Sequence, residues 1–270
     1  MLEFIEWLKV VFLGIVEGIT EWLPISSTGH MLLVDEFIKL NVSDAFKDMF
    51  FVVIQLGAIL AVVVIFWNKM WPFQMPKESQ SIIKKDRFSL WFKVVVSCIP
   101  GAAVTLLFDD YVDTPVVFAI SLFFYGIAFF IIETRNKNKV ARINTLEEIS
   151  YKDAFLIGVF QVLSIVPGTS RSGSTIIGGL LMGISRVAIA EFTFFMAVPV
   201  MFGLSAIKII KFGFNFTHTE LAILIWGMVI AFTVSIIVIK FLMSYIKKHD
   251  FKIFGWYRII LGIVVLAYFL

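Results

Sequence analysis

Residues Asp153–Gly183 read DAFLIGVFQVLSIVPGTSRSGSTIIGGLLMG. The polar run Pro167-Gly168-Thr169-Ser170-Arg171-Ser172-Gly173-Ser174-Thr175 joins apolar Val162–Val166 to apolar Ile176–Met182, and Arg171 is the only basic residue between Lys152 and Arg186. Crossing ~30 Å of hydrocarbon takes about 20 consecutive apolar residues, which this interrupted stretch does not offer. Its surroundings decide whether it dips into a membrane and returns.

Those surroundings are apolar. The 270 residues are 60% hydrophobic and 16% charged, with a mean hydropathy of +0.95. A soluble domain of this size needs far more polar surface, so the class is integral membrane. The net charge is only +3, and the basic residues sit in short loops, a topology signal rather than a nucleic-acid patch. Cys98 is the single cysteine, which excludes an intrachain disulfide and a cysteine-cluster metal site. Met1-Leu2-Glu3-Phe4-Ile5-Glu6 lacks a basic start and a small-residue cleavage site, so it is expected to belong to the fold and not to a signal peptide.

Six segments read as spans, roughly Phe50–Trp67, Leu90–Phe108, Pro115–Ile132, Phe192–Ile210, Leu221–Met243 and Ile253–Leu270. Trp67, Trp71, Trp91 and Trp226 fall near their ends, where amphipathic rings favour the interface. Lys69, Lys77, Lys84, Lys85, Arg87 and Lys93 crowd one loop, Arg135, Lys137, Lys139, Arg142 and Lys152 a second, and Lys247, Lys248 and Lys252 a third; Asp109–Thr114 and Phe212–Glu220 hold no Lys or Arg. The positive-inside rule puts the first three in the cytoplasm and the last two outside. That bookkeeping forces Asp153–Gly183 to enter and leave on the cytoplasmic side and Met1–Leu40 to do so on the outer side. Each is expected to be a re-entrant helix–loop–helix hairpin, a shape tolerated at membrane depth only where protein or trapped water covers it.

The hairpins resemble each other. Gly14-Ile15-Val16-Glu17-Gly18 lines up with Gly158-Val159-Phe160-Gln161-Val162, and Leu23–Gly29 with Val166–Gly173, allowing a one-residue slip. The expected fold is therefore an all-α integral membrane protein of six transmembrane helices plus two re-entrant hairpins in an inverted-topology repeat. It forms a single membrane domain over 1–270 with halves near 1–135 and 150–270. Such repeats place their site near the midplane, where the broken helices meet.

The first polar motif runs from Glu17 to His30. At about 100° per residue, Glu3, Glu6, Lys9, Glu17, Thr20 and Glu21 share one helical arc, with Glu17 and Glu21 as i,i+4 neighbours. Two such carboxylates repel unless a cation lies between them or one stays protonated. A hard divalent ion with oxygen ligands fits, particularly one that bridges to substrate phosphates. Pro24 stops the helix, and Ser26, Ser27 and Thr28 can cap the next. Ser-Ser-Thr-Gly alone is what a plain cap looks like; two Glu and a His in apolar surroundings turn the reading to chemistry. A hydroxyl beside His30 suggests a nucleophile-and-base pairing, or an imidazole that itself accepts a phosphoryl group. Glu3, Glu6 and Lys9 are read as facing the outer interface.

The second motif holds only donors. The guanidinium of Arg171 offers a fixed fork for phosphate. Around it stand Ser170, Ser172 and Thr175, glycines that let backbone N–H groups form an anion nest, and the amino end of a helix expected to begin near Ser174. The competing reading is an arginine snorkelling from a shallow Ser/Gly loop. No Gly-Lys-Ser/Thr follows the glycines, so it is not a P-loop. Glu191, Gln55, Ser97, His218 and His249 are read as structural or solvated, with a pocket-lining role open for Glu191.

Glu17-x-x-x-Glu21, the Ser26–His30 turn and Pro167–Thr175, in this order and spacing, together resemble the signature motifs of the bacterial undecaprenyl-diphosphatase family, also called bacitracin-resistance proteins. The likeness in length and hydropathy covers the whole chain. It implies a hydrolase of a phosphoric anhydride in the bacterial cell membrane, removing the terminal phosphate of undecaprenyl diphosphate to regenerate the carrier for peptidoglycan and other envelope polymers. It also implies dependence on a divalent metal ion (Mg²⁺ or Ca²⁺), a site facing the outer side, and bacitracin resistance. Carried over position by position, Glu17 and Glu21 are the acidic pair that holds metal, Ser27 and His30 the hydroxyl and imidazole, and Arg171 the arginine. Ser26, Thr28, Ser170, Ser172 and Thr175 complete the substrate contacts. Attack by Ser27 with His30 as proton acceptor, attack by His30, and attack by water all stay open. Partners are the polyprenyl diphosphate and membrane lipids, not nucleic acid, and a homodimer is compatible with the sequence. The rival is a transporter of lipid phosphate or a small anion, since inverted repeats with broken helices suit it equally.

Overall fold

The computed structural model describes residues 4–73, 83–107 and 114–269. Expectations placed on Met1–Glu3, Lys77, Phe108, Asp109 and Leu270 lie outside them. Among the described residues the fold is all-helical, with two isolated bridges, Phe73 to Ile83 and Ile143 to Ile184.

The helices are α1 (Phe4–Thr20), α2 (Ser27–Phe37), α3 (Asp44–Val53), α4 (Gln55–Ile65), the one-turn α5 (Trp67–Met70), α6 (Lys85–Leu107), α7 (Pro115–Asn136), α8 (Tyr151–Val162), α9 (Arg171–Leu181), α10 (Arg186–Phe212), α11 (His218–Ile246) and α12 (Lys252–Phe269). Six stretches are long and apolar enough to cross a membrane: Asp44–Ile65, Lys85–Val104, Pro115–Asn136, Arg186–Phe212, His218–Ile246 and Lys252–Phe269. The chain is a multi-pass membrane protein. Several spans start earlier than hydropathy suggests, at Asp44, Lys85 and Arg186 rather than Phe50, Leu90 and Phe192. Polar first turns are helical because capping, not apolarity, starts a helix. Ser43, Thr114, Ser150, Ser185 and Thr217 each accept a hydrogen bond from the amide three residues on.

The helix pairs α1–α2 and α8–α9 fall outside the six spans and pack against them. α1 lies on α11, α8 lies on α6, and α7 lies along α12. Small residues permit each contact, as they do between membrane helices generally. A Cβ on Gly18 would stand 2.8 Å from the Ala231 carbonyl oxygen, one on Gly158 2.1 Å from that of Ser97, and one on Gly126 2.7 Å from that of Gly255. The main core gathers Trp22, Phe66, Phe192, Phe194 and Phe195 around α10. Outward, Phe92, Phe124, Ile131, Ile237, Phe241 and Ile260 are exposed, as lipid-facing side chains must be.

Candidate functional site

Two turns, one from each short helix pair, come together in the interior. α1 ends at Thr20 and a turn over 21–25 leads to α2 at Ser27. The 3₁₀ turn Leu163–Ile165 and the following loop lead from α8 to α9 at Arg171. Ser26 and Ser170, the residues before α2 and α9, have φ of 76° and 70° and are the only non-glycine residues with positive φ among those described. Such conformations cost roughly 1–3 kcal/mol and cluster at functional sites. Helix α9 begins at Arg171, three residues before the expected start, because the Ser170 hydroxyl caps it by accepting the Gly173 amide at 3.2 Å. Ser26 makes no such bond.

The two turns meet at Glu21. Its Oε1 accepts from Arg171 Nη2 at 2.8 Å, and its Oε2 accepts from the Ser27 hydroxyl. Arg171 Nη1 has no partner among the described residues. Glu17, one helical turn before Glu21, is 0% exposed, and neither of its oxygens is hydrogen-bonded among the described residues. It lies beside the Glu21 carboxylate and within electrostatic reach of Arg171. A buried carboxylate without a partner is costly.

His30 is elsewhere in the arrangement than expected. Its Nδ1 stands 2.7 Å from the Ser26 carbonyl and its Nε2 2.6 Å from the Tyr257 hydroxyl. The Ser27 hydroxyl is paired with Glu21 and not with the imidazole, because His30 projects from the next turn of α2 toward α12. Ser170 and Ser172 lie 3.1 Å apart, hydroxyl to hydroxyl. Thr175 is committed to packing, bonded to the Arg171 and Ser172 carbonyls and, at 2.8 Å, to Thr193. Thr28 is exposed. The cluster thus joins Glu17, Glu21, Ser26, Ser27, His30, Ser170, Arg171 and Ser172, and leaves Thr28 and Thr175 at its margin. Groups of three or more His, Cys, Asp or Glu side chains able to hold a metal by themselves do not occur among the described residues.

Among known proteins, the family model described as "Bacitracin resistance protein BacA" matches residues 10–264. The chain belongs to that family. It is 72% identical over 269 residues to an undecaprenyl-diphosphatase of Enterococcus faecalis, covering 98% of each chain. It is 61% identical over 273 residues to one of Lachnoclostridium phytofermentans, covering 100% of this chain and 99% of that one. The match to the Streptococcus thermophilus protein is 55% over 271 residues, with 98% and 93% covered.

Sequence reasoning missed α12's contribution to this family member. Arg258 is fully buried in a span; its Nη1 donates to the Pro24 carbonyl at 2.7 Å and its Nη2 to those of Gly168 and Thr169 at 2.6 and 2.9 Å. The guanidinium sits 5.3 Å over the Tyr125 ring. An arginine inside an apolar span is itself a functional signal, and it was available at residue 258. Both Glu191 oxygens accept from Lys69 at 2.8 Å, Ser97 bonds the Val94 carbonyl, and His218 and His249 are exposed. Glu6 and Lys9 pair with each other and hold the turn at Lys39–Asn41.

Proposed function

We propose that the chain hydrolyses undecaprenyl diphosphate to undecaprenyl phosphate and inorganic phosphate, in the bacterial cell membrane. The observation that carries this is the position of Glu21, held between a hydroxyl, Ser27, and a guanidinium, Arg171, one of whose nitrogens has no partner among the described residues. That is a nucleophile, a proton acceptor and an oxyanion receptor within one hydrogen-bonded string. Relatives of this length and identity bear the name undecaprenyl-diphosphatase.

The terminal phosphate engages Arg171 through Nη1 and, as it displaces Glu21 from Nη2, through the whole fork. The N–H groups opening α9 and the Ser170 and Ser172 hydroxyls add donors for the charge that develops on the equatorial oxygens. Glu21, whose Oε2 already accepts from the Ser27 hydroxyl, takes its proton. The Ser27 Oγ–P bond forms, the anhydride P–O bond breaks in line, and the lipid monophosphate leaves. Water then cleaves the phosphoserine, giving inorganic phosphate and restoring the hydroxyl.

A divalent cation fits the same site, on the ground that both Glu17 oxygens are buried and unbonded among the described residues. Glu17, with Glu21 once it leaves Arg171, would hold Mg²⁺ or Ca²⁺, and substrate phosphate and water oxygens would fill the remaining positions. When bound, the ion offsets the charge of the diphosphate and of the departing phosphate.

The hairpins α1–α2 and α8–α9 are read as re-entrant halves of an inverted repeat, over about 1–135 and 150–270. Three features support this: α1 packs on α11 as α8 packs on α6, the strained serines Ser26 and Ser170 hold equivalent places, and Gly29 and Gly173 follow each by three residues. The site is assigned to the outer side. Cysteine labels at Thr217 and Lys137, with Cys98 replaced, should react from opposite sides of the membrane; labelling from one side alone overturns the topology.

The decisive assay is phosphate release by purified protein in detergent from a polyprenyl diphosphate, with and without chelator. Release that stops on chelation and returns with Mg²⁺ or Ca²⁺ is expected. Binding without release would place the chain among transporters instead.

A further inference from the structure

We propose that Tyr257 and Arg258, adjacent on α12, are a positioning pair that sets the two turns of the site against each other. Arg258 acts directly and Tyr257 through His30. The kinetic part of the test rests on the phosphatase reading; the structural part does not.

Arg258 has no acidic partner among the described residues. Its three hydrogen bonds go to backbone carbonyls, Pro24 in the first turn and Gly168 and Thr169 in the second. One end of the guanidinium therefore faces each turn, and its rigid plane fixes their spacing. Both terminal nitrogens donate to carbonyls and only Nε is without a partner among the described residues, whereas in Arg171 a terminal nitrogen, Nη1, is the one without. Burying an arginine in a span is expensive, and helix packing alone would be served by an apolar side chain. What it gains here is the satisfaction of three carbonyls in non-helical turns, where no helix partner exists. The two turns are otherwise joined through the Glu21–Arg171 pair, which the reaction itself must open. Arg258 holds the turns while that pair is apart.

Tyr257 controls the other side of the first turn. A carbonyl only accepts, so the 2.7 Å contact puts the hydrogen of His30 on Nδ1, facing the Ser26 oxygen. In the neutral ring Nε2 then accepts from the Tyr257 hydroxyl at 2.6 Å. The lone pair that a general base would use is engaged by Tyr257 and directed away from Ser27, whose proton points to Glu21. His30 grips the carbonyl of Ser26, a residue at φ 76° without a side-chain cap and immediately before Ser27. The geometry makes His30 a positioning residue for the nucleophile, with Tyr257 fixing its tautomer and orientation.

Four variants separate this from a general structural role: Arg258→Lys, Tyr257→Phe, His30→Asn and His30→Ala. A lysine reaches one turn and not both, so Arg258→Lys should lower kcat by about 10²-fold, the scale of a 1 Å misplacement, with KM changed less than about threefold. Tyr257→Phe should lower kcat by about tenfold, the worth of one buried hydrogen bond. Asparagine can still donate to the Ser26 carbonyl but cannot act as base; His30→Asn should keep at least about ten times the activity of His30→Ala. Adding Tyr257→Phe to His30→Ala should cost nothing more, because the tyrosine acts through the imidazole. Amide hydrogen exchange gives the arm that needs no activity: Arg258→Lys should speed exchange in both turns, at residues 25–30 and 169–174, while leaving α7 and α12 protected. Equal activities of His30→Asn and His30→Ala, or a full additive loss in the Tyr257 double variant, would overturn the proposal. So would unchanged exchange in the turns of Arg258→Lys. Should that variant fail to fold, the Tyr257 and His30 series decides. If the wild-type protein releases no phosphate, the phosphatase reading fails and exchange alone judges the positioning pair.

Discussion

The two turns share a backbone and divide the chemistry. Each follows a short helix, passes through a serine at positive φ and opens a short helix whose first turn holds glycine. Yet the first carries Glu17, Glu21, Ser27 and His30, while the second has Gln161 where the first has Glu17 and Arg171 where the first has Ser27. In the proposed reaction the first side would hold a metal and take up a proton, and the second would only donate hydrogen bonds. A diphosphate needs both, a base and cation at one end and anion receptors at the other. Tests of the comparison should exchange or remove what differs.

The largest effect is expected at Arg171. Arg171→Lys keeps the charge but loses the planar fork that spans Glu21 and the phosphate. Phosphate release should fall by about 10²–10³ in kcat/KM, the range for removing one transition-state donor, with thermal unfolding near that of the wild type. Near-normal turnover would remove Arg171 from the receptor role.

Next comes Glu17→Gln, which gives the first hairpin the residue the second already has. Activity should drop at least about tenfold and lose its response to added Mg²⁺. In chelator the same change should raise the thermal midpoint by a few degrees, since burying an unpaired charge costs more than burying a neutral amide. A variant that loses activity and stability together would show that Glu17 supports the fold and not a cation.

The fold was largely legible, and for a reason. Spans of uniform apolarity and loops sorted by charge are written residue by residue, so the six crossing helices needed no tertiary information beyond the caps that start them. The motifs were legible too, because Glu17, Glu21 and Arg171 are costly where they stand. What stayed hidden was pairing. Nothing in the spacing of Glu21, Ser27 and His30 says which of the two the serine hydroxyl pairs with; α2 turns His30 toward Tyr257, 227 positions away in sequence. Arg258 was visible as a charge in a span but not as the partner of turns 90 and 234 residues distant.

A smaller effect separates the packing of the hairpins. Gly14 and Gly158 occupy matching places, but a Cβ on Gly158 would overlap the Ser97 carbonyl at 2.1 Å, whereas one on Gly14 would meet Ile230 Cβ at 2.9 Å and the Gly227 carbonyl at 3.0 Å. The deeper overlap demands the larger backbone shift. Gly158→Ala should destabilise by about 1–3 kcal/mol, visible as a lower thermal midpoint, and Gly14→Ala by clearly less. Equal losses would mean that the two hairpins sit equally tightly.

The least effect concerns how the second hairpin is anchored. At the foot of α8 the Asp153 carboxylate accepts from the Ser150 amide and hydroxyl and, at 2.6 Å, from Arg142 Nη2. Partial burial pushes its carboxyl up, but the Ser150 bonds and the Arg142 guanidinium outweigh that and hold it below the usual carboxylate range. A group whose folded value is depressed contributes stability above its unfolded value, roughly pH 4, and loses it as pH falls through the folded value. Asp153→Asn should therefore lower the midpoint slightly at pH 7, by the equivalent of about 0.5–1 kcal/mol for a capping-box partner and an ion pair whose arginine is exposed. The gap between variant and wild type should close as the pH drops below about 4. At the start of the first hairpin Glu6 is tied instead to Lys9 and the Asn41 amide, so Asp153→Asn should loosen exchange at the foot of α8 and leave α1 untouched. A gap that persists in acid would assign the loss to the shape of the capping box and not to its charge.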